Sequence, residues 1–447
     1  MANQVSIPLY QKLLDGFDGK FAIEQKAEPD ALRQARQKAL ENFRKSGFPT
    51  TRVEDWKYTN VIPFLKEDYA LQDKAKAGAA LAHAVEAATI EDLDSYRIVL
   101  LNGQLQETAT DEKLPDSISI RPMAEAKQEA TFLNYFGKGT DVEKHHFAAL
   151  NTAMFTDGLL IEVKANASID KPLHIIHAFS SENNLFVQPR HLIVLHRSAA
   201  LSIVESVVTD SSAAKIFVNS LTEVVVEENA NLNHYTLQTA KKGLRQLQHT
   251  EVNQKRDSVY SNYTFSLPEA ELLRNNLHVN LDDEHTESHL YGLYLGADQQ
   301  LLDNHTFMNH QKAHCESNEV YKGVLLDKAV GVFNGKVFVQ VDAQKTNAFQ
   351  QNNNLLLSPT ATINSKPQLE IFADDVKCSH GSTIGQLSQE AMFYLQSRGI
   401  GEDSARAMLV SAFAFDVTEK IKIPELEAHI NNLITHHIPA NQELIKA

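Results

Sequence analysis

Sulfur and tryptophan are scarce in this chain: 447 residues hold two cysteines, Cys315 and Cys378, and one tryptophan, Trp56. So few cysteines exclude a disulfide framework. No apolar run approaches the roughly 18 residues that a membrane-spanning helix needs. The N-terminus, MANQVSIPLYQKLLDGFDGK, lacks the basic and apolar stretches of a secretory signal. Positive charge is also short, with 42 Lys and Arg against 57 Asp and Glu and a net charge of −15. That balance repels a phosphate backbone, and no local basic stripe offsets it. The patterns GxxxxGK[ST], GxGxxG and GxSxG are all missing, so neither a nucleotide site nor a nucleophile elbow is visible. The expectation is a soluble, cytoplasmic protein that touches neither nucleic acid nor membrane.

What is present is an apolar fraction of 43%, ordinary for a globular protein. Residues 29–47, PDALRQARQKALENFRKSG, carry Leu32, Ala35, Ala39 and Phe43 at helical spacing and end on Gly47. Trp56 follows in TRVEDWKYTN and reads as a buried anchor between a helical region and its neighbour. Residues 75–88 are alanine-rich, a helix or a connector, and residues 97–139 show no clear order of elements. From Gly158 the pattern changes to short β-rich runs such as LLIEV, LHIIHAF and LSIVESVV, separated by Asn, Asp, Gly and Ser. Ala167, Ala200 and Ala230, then Ala297, Ala329 and Ala361, recur at steps of 30 to 33, and Tyr291 and Tyr321 are 30 apart. A loose period near 30 in a strand-only region predicts a solenoid, a parallel β-helix, over a sandwich. Hairpin-type Asn-Gly pairs occur only at Asn102-Gly103 and Asn334-Gly335. Helices return after Gly385, beginning at Ser388, near Gly401 and at Pro424. The predicted organisation is a helical or mixed domain over 1–150, a mainly β, parallel β-helix core over 151–385, and a helical domain over 386–447.

The chemistry centres on KPQLEIFADDVKCSHGSTIG, residues 366–385. In an extended chain side chains two apart share a face, which puts Cys378 and His380 together and Ser379 opposite. Thiolate and imidazole are fair ligands for zinc or iron, but two of them do not close a site. The plain alternative is a small buried cysteine beside a surface histidine. Cys315 lies in HTFMNHQKAHC with His305, His310 and His314, which reads as a histidine-rich loop on the solenoid flank. His145-His146 and His436-His437 read as surface pairs. Many β-helix proteins act on acidic polysaccharides, so a stand-alone enzyme is the alternative function. Its carboxylate dyad is not evident, because neighbours in Asp282-Asp283-Glu284 and Asp374-Asp375 point apart on a strand.

The stretches NNNLLLSPTATINSKPQLEIFADDVKCSHGSTIGQL and MFYLQSRGIGEDSARAMLVSAFAFDV resemble the SufB/SufD family of iron–sulfur cluster assembly proteins. So do DNHTFMNHQKAHC, VFNGKVFV and RVEDWKYTN, which together span nearly the whole chain. EDWKYTN and the CSHG form of the cysteine motif are closer to the D branch than to the B branch. The resemblance implies a right-handed parallel β-helix flanked by helical domains, acting as a non-catalytic scaffold in a SufBCD-type complex. The implied partners are a SufB-like homologue and a SufC-like ABC ATPase held by the C-terminal helices, with a cysteine desulfurase system upstream. The resemblance also implies that Cys378 and His380 lie at the partner interface, where they contact a transient iron–sulfur cluster. Ala405, Met408, Leu409, Ala412 and Phe413 form an apolar stripe that is the candidate ATPase-docking surface. Without four cysteines, no permanent cluster is expected on this chain alone. A flavin on the complex, and a homodimer in the absence of the partner, are left open.

Overall fold

A computed structural model of the protein describes residues 7–21, 27–71, 79–106, 114–210 and 214–438. Its repeat is set at one corner of each coil. Asn166, Ser198, Asn229, Asp257, His285, His314 and Lys345 all take φ between 56° and 61°, the left-handed region. Asn and Asp enter that region most readily, which explains several of these choices. Each donates its N–H to the residue just before its counterpart in the next coil, as in Asn166 to Arg197 (2.8 Å) and His314 to Gln344 (2.9 Å). The residue that follows is small: Ala167, Ala199, Ala230, Ser258, Thr286, Cys315 and Thr346. From Ala199 onward every member of this row is buried. Cys315 is therefore a corner residue, equivalent to alanine, serine and threonine in other coils.

Between corners, consecutive strands alternate between two sheets, giving a β-solenoid of about eight coils over residues 160–385. The first sheet ends on the strand Thr362–Ile371 and the second on Lys377–Gly385. Pairing within the solenoid is parallel and in step, for example Leu272 with Leu301, Leu301 with Val330 and Val330 with Thr362. Parallel neighbours need a long return path, which the other sheet supplies. The parallel β-helix expected from the sequence is present.

Each of the three repeats read from the sequence has one member out of register. Ala199, not Ala200, is the equivalent of Ala167 and Ala230. Ala329 and Ala361 occupy equivalent corners, but Gln300 rather than Ala297 is the residue one coil earlier. Tyr291 pairs with Val320, whereas Tyr321 pairs with Gly292 and points inward. The true row is Tyr235, Tyr263 and Tyr291, with stacked ring centroids 4.3 and 5.2 Å apart on the outer face. Gly292 is required there, because a Cβ would come within 2.2 Å of the Tyr321 ring. Asn102 (φ 50°) and Gly103 (φ 82°) do form a hairpin, joining Tyr96–Leu101 to the antiparallel Gln104–Gln106. Asn334-Gly335 instead lies inside the strand Val330–Val339.

The predicted first helix runs from Asp30 to Ser46 and buries Leu32, Ala39 and Phe43. With the helix His146–Met154 it covers the outer face of the first sheet through Phe48, Phe147, Phe186 and Phe217. Trp56 is buried as an anchor, with the Arg274 guanidinium 3.8 Å above its ring. Arg274 pairs with the buried Asp303, which also accepts from the Thr59 hydroxyl. In the alanine-rich stretch a helix spans Ala79–Ala87, and residues 75–78 lie outside the described residues. The region that the sequence leaves unordered contains the strands Tyr96–Leu101 and Ile118–Pro122 and short helices at Met123–Ala126 and Ala130–Tyr135; residues 107–113 lie outside the description.

Three helices, Gln389–Ser397, Glu402–Thr418 and Pro424–His437, follow the solenoid among the described residues. Ser388 caps the first by accepting from the N–H of Ala391 at 3.2 Å, and Gly399 (φ 85°) follows it. The second and third lie on the outer face of the second sheet, where Val410, Ala414, Val417, Leu426, Ile430 and Ile434 meet the tyrosine row. Among the described residues no helix is long and apolar enough to cross a membrane.

Candidate functional site

An inward-facing residue in this solenoid is normally covered by the coil on either side. The last coil has a neighbour on one side only, because Lys377–Gly385 and Thr362–Ile371 end their sheets. Cys378 pairs with Ala348 and His380 with Gln350, and both partners are buried inward positions. Cys378 and His380 therefore share the inward face, as their spacing predicts, but at an open end. Cys378 is half-buried and His380 exposed. They do not continue the strand that holds Leu369 and Ile371: residues 372–376 turn the corner, so the two pairs lie in different sheets. Ile371, Phe372 and Ile384 leave apolar surface beside them, at 39, 57 and 55% exposure. Burial pushes the Cys378 thiol above its ordinary pKa, which favours the neutral thiol over the thiolate.

Immediately behind His380 the same inward row is polar at Gln350 and Glu319. Gln350 donates to Glu319 at 2.9 Å, and Glu319 accepts from Thr306 as well. Burial raises the Glu319 carboxyl to about 7, which poises it between its two charge states near neutrality. Further in, apolar Leu290 interrupts the row, which resumes with Asn262 and His234, and His234 lies 2.8 Å from Glu205. Inward carboxylates and imidazoles are costly to bury unless they are hydrogen-bonded, and most of these are.

A second constellation lies on the outer face of the first sheet. There the N-terminal region roofs a cleft of about 510 Å³. His249 on Leu244–Gln254, His278 on Leu272–Leu281 and His145 at the start of His146–Met154 each offer a ligand atom, all within 4.8 Å of one another. Their ring centroids are 4.7 to 5.0 Å apart. Glu251, one coil across from His278, lies 3.2 Å from His249 Nε2 and 3.5 Å from His278 Nδ1. Asn280 holds that carboxylate by donating to Oε1 at 2.7 Å. Desolvation first, then the two other imidazoles, lowers His145 to about 2, so it is neutral at physiological pH. The carboxyl of Glu251 is held at about 2: burial opposes this, and the bonds from His249 and His278 prevail. Gly139 lets the roof approach, since a Cβ there would meet Asn253 Nδ2 at 2.5 Å and Glu251 Cγ at 3.1 Å.

Several histidines thus stand elsewhere than the sequence suggests. His145 is no surface residue, because the helix it begins lies over the sheet. The stretch HTFMNH is strand rather than loop, and alternation separates its histidines. His305 faces the cleft, 2.9 Å from Asp303, while His310 is fully buried inside, 2.9 Å from Ser317 Oγ. His314 is a corner residue, stacked on His285. The triad escapes sequence reading because its members come from three segments. The usable signal is the coil period, which sets Glu251 beside His278 two residues beyond His249. In the helix Glu402–Thr418 the buried seam is Ala405, Val410, Ala414 and Val417. Of the predicted stripe, Ala405 belongs to it, Leu409 and Phe413 are half-buried, and Met408 and Ala412 face outward. No carboxylate dyad forms at Asp282–Glu284 or Asp374-Asp375: Asp282 pairs with Lys255, Glu284 with Arg256 and Asp375 with Lys345.

Comparison with known proteins gives two family matches. Residues 177–413 match the SufBD core domain of the SUF system for FeS cluster assembly, and residues 8–175 the SufBD protein N-terminal region. An iron-sulfur cluster assembly SufBD family protein of Synechocystis sp. is 31% identical over 425 residues, 93% of each chain. The iron-sulfur cluster assembly protein SufD of Escherichia coli is 29% identical, over 90% of this chain and 92% of that one. SufD of Bacillus subtilis is 23% identical, over 93% and 96%.

Proposed function

This chain belongs to the SufBD family of the SUF iron–sulfur cluster assembly system, and we propose that it acts there as a non-catalytic scaffold subunit. In this reading its last coil meets the last coil of a SufB-like homologue, and a nascent iron–sulfur cluster, the cargo of the complex, is built at the seam. A SufC-like ABC ATPase docks on the C-terminal helices, and a cysteine desulfurase system supplies sulfur.

The observation that carries the reading is a thiol and an imidazole on inward positions of a strand that, among the described residues, no coil covers. Sulfur and imidazole nitrogen suit iron, and two ligands leave room for others from a facing chain. Coordination displaces the thiol proton that the local environment retains. The terminal strands also have unpaired edges beside Ile371, Phe372 and Ile384, and a strand from a homologous coil would satisfy both the backbone and the apolar surface. For the ATPase, Met408 and Ala412 of the predicted stripe face outward, and Phe393, Tyr394 and Phe415 are more than half exposed nearby.

The test is the cluster content of the co-expressed complex, by iron and sulfide assay and visible absorption, beside thermal stability. His380→Ala and Cys378→Ala should lower cluster yield without weakening assembly. Cys315→Ala should change neither, since alanine is native at two equivalent buried corners. Normal yield from the double Cys378→Ala, His380→Ala variant removes this chain from the chemistry; yield that falls only with stability makes both residues structural. For the docking face, Met408→Asp should reduce recovery of the ATPase, and undiminished recovery rejects that surface.

A further inference from the structure

We propose that His145, His249 and His278 bind a single first-row divalent metal ion, ferrous iron or zinc, with Glu251 as the carboxylate that orients two of the rings. The site is separate from the open end of the solenoid and does not rest on the function proposed above. Three imidazoles around one point are borderline ligands, suited to zinc, iron, nickel or copper and poorly suited to magnesium or calcium. A tetrahedral ion with bonds of about 2.0–2.1 Å places its ligand atoms about 3.3 Å apart, so nitrogens now within 4.8 Å of one another need only small ring rotations to converge.

The surroundings are those of a metal-ligand set. Glu251 lies against one nitrogen of His249 and one of His278, so a metal ion would take the other nitrogen of each ring. Asn280 fixes the carboxylate in turn. Among the described residues the only ring contacts found for His145 are with His249 and His278. Packing alone gives no reason to gather three imidazoles under a roof, since aliphatic side chains would fill the space without polar nitrogens to satisfy. With three protein ligands, a fourth position opens onto the cleft, the arrangement of an exchangeable rather than a sealed site.

The experiment uses the full-length chain, stripped with chelator and titrated with Zn²⁺ and with Co²⁺ as the spectroscopic probe. The wild type should take up one equivalent and develop the visible ligand-field bands of nitrogen-bound Co²⁺. His249→Ala with His278→Ala should abolish this uptake, and Glu251→Gln should weaken it about 10- to 100-fold. Cys378→Ala with His380→Ala should bind as the wild type does, which separates this site from the open end. Zinc should raise the melting temperature of the wild type and not of the histidine double variant. If substitution at the triad prevents folding, X-ray absorption of the zinc-loaded wild type decides the question. Three imidazole shells are expected, and a thiolate shell overturns the proposal. Uptake by the double variant equal to that of the wild type, or none by the wild type, overturns it as well.

Discussion

One inward row runs through the later coils of the first sheet: Leu281, His310, Val339 and Ile371. The first three are 0% exposed, whereas Ile371, on the last coil, is 39% exposed. The backbone register treats all four alike. What differs is whether a further coil stands beyond them. Direction is a property of the strand, but burial in a solenoid is a property of the neighbour, so the last coil carries interior chemistry on its surface. The contrast recurs in the second sheet, where buried Gln350 precedes exposed His380.

The strongest way to break the contrast is to attack what holds an inner coil under its roof. Arg274→Ala leaves Asp303 charged, fully buried and short of its main partner, and should cost about 3–5 kcal/mol in chemical denaturation. The loss of stacking on Trp56 adds to it. A loss below 1 kcal/mol would mean that water reaches Asp303 and that the roof is loosely seated.

Next in size is the row itself. Leu281→Ala should cost about 2–5 kcal/mol through lost burial and the cavity left behind. Ile371→Ala should cost clearly less in the isolated chain, because water already meets its outer side. Equal losses would show that the last coil is covered in solution, by a second copy or by another part of the chain.

The same row makes a pH prediction. Burial lowers His310 to about 3. The unfolded chain protonates this group near its ordinary value of about 6.5 and the folded chain only near 3, so the unfolded state binds the extra proton between them. Stability that is present above pH about 6.5 is therefore lost as pH falls, by about 1.4 kcal/mol per pH unit for this one group. His310→Leu should flatten the acid limb of the stability–pH curve by that slope, whatever it does at neutral pH. An unchanged slope would mean that His310 is hydrated in the folded protein.

The smallest effect is expected just past the open end. Ser388→Ala removes the cap bond to Ala391 and should cost about 1 kcal/mol. Faster amide exchange confined to Gln389–Ser397 would show that this helix frays independently of the coil before it. Exchange that spreads into Lys377–Gly385 would show that cap and coil stand or fall together.

The sequence made the solenoid legible because the corner chemistry recurs, with a residue suited to positive φ followed by a small one. It blurred the register, because alanine is only one of the residues that fit. Ala200 was one position off the corner that Ala199 occupies, and Cys315 was hidden among residues it resembles only in size. The face shared by Cys378 and His380 was legible because alternation is local. Their exposure was not, since it depends on where the stack of coils ends. The triad of His145, His249 and His278 was illegible for the opposite reason, as it exists only once a distant segment is laid over two aligned strands. In the helix Glu402–Thr418 the apolar residues outnumber the positions on one face, and packing on the tyrosine row, not periodicity, selected Val410, Ala414 and Val417.

The roof has a consequence for synthesis on the ribosome. Thr59 bonds to Asp303, 244 residues later, and Glu54 to Lys366, 312 residues later. At about 5–20 residues per second the last of these partners emerges roughly 15 to 60 s after Glu54 itself. Until then Trp56, Phe147 and their neighbours have only part of the surface they are shaped for, and each new coil widens it. The N-terminal segment is made first and can be fully seated only near the end, so for most of translation the nascent chain presents an aromatic face that a chaperone could hold.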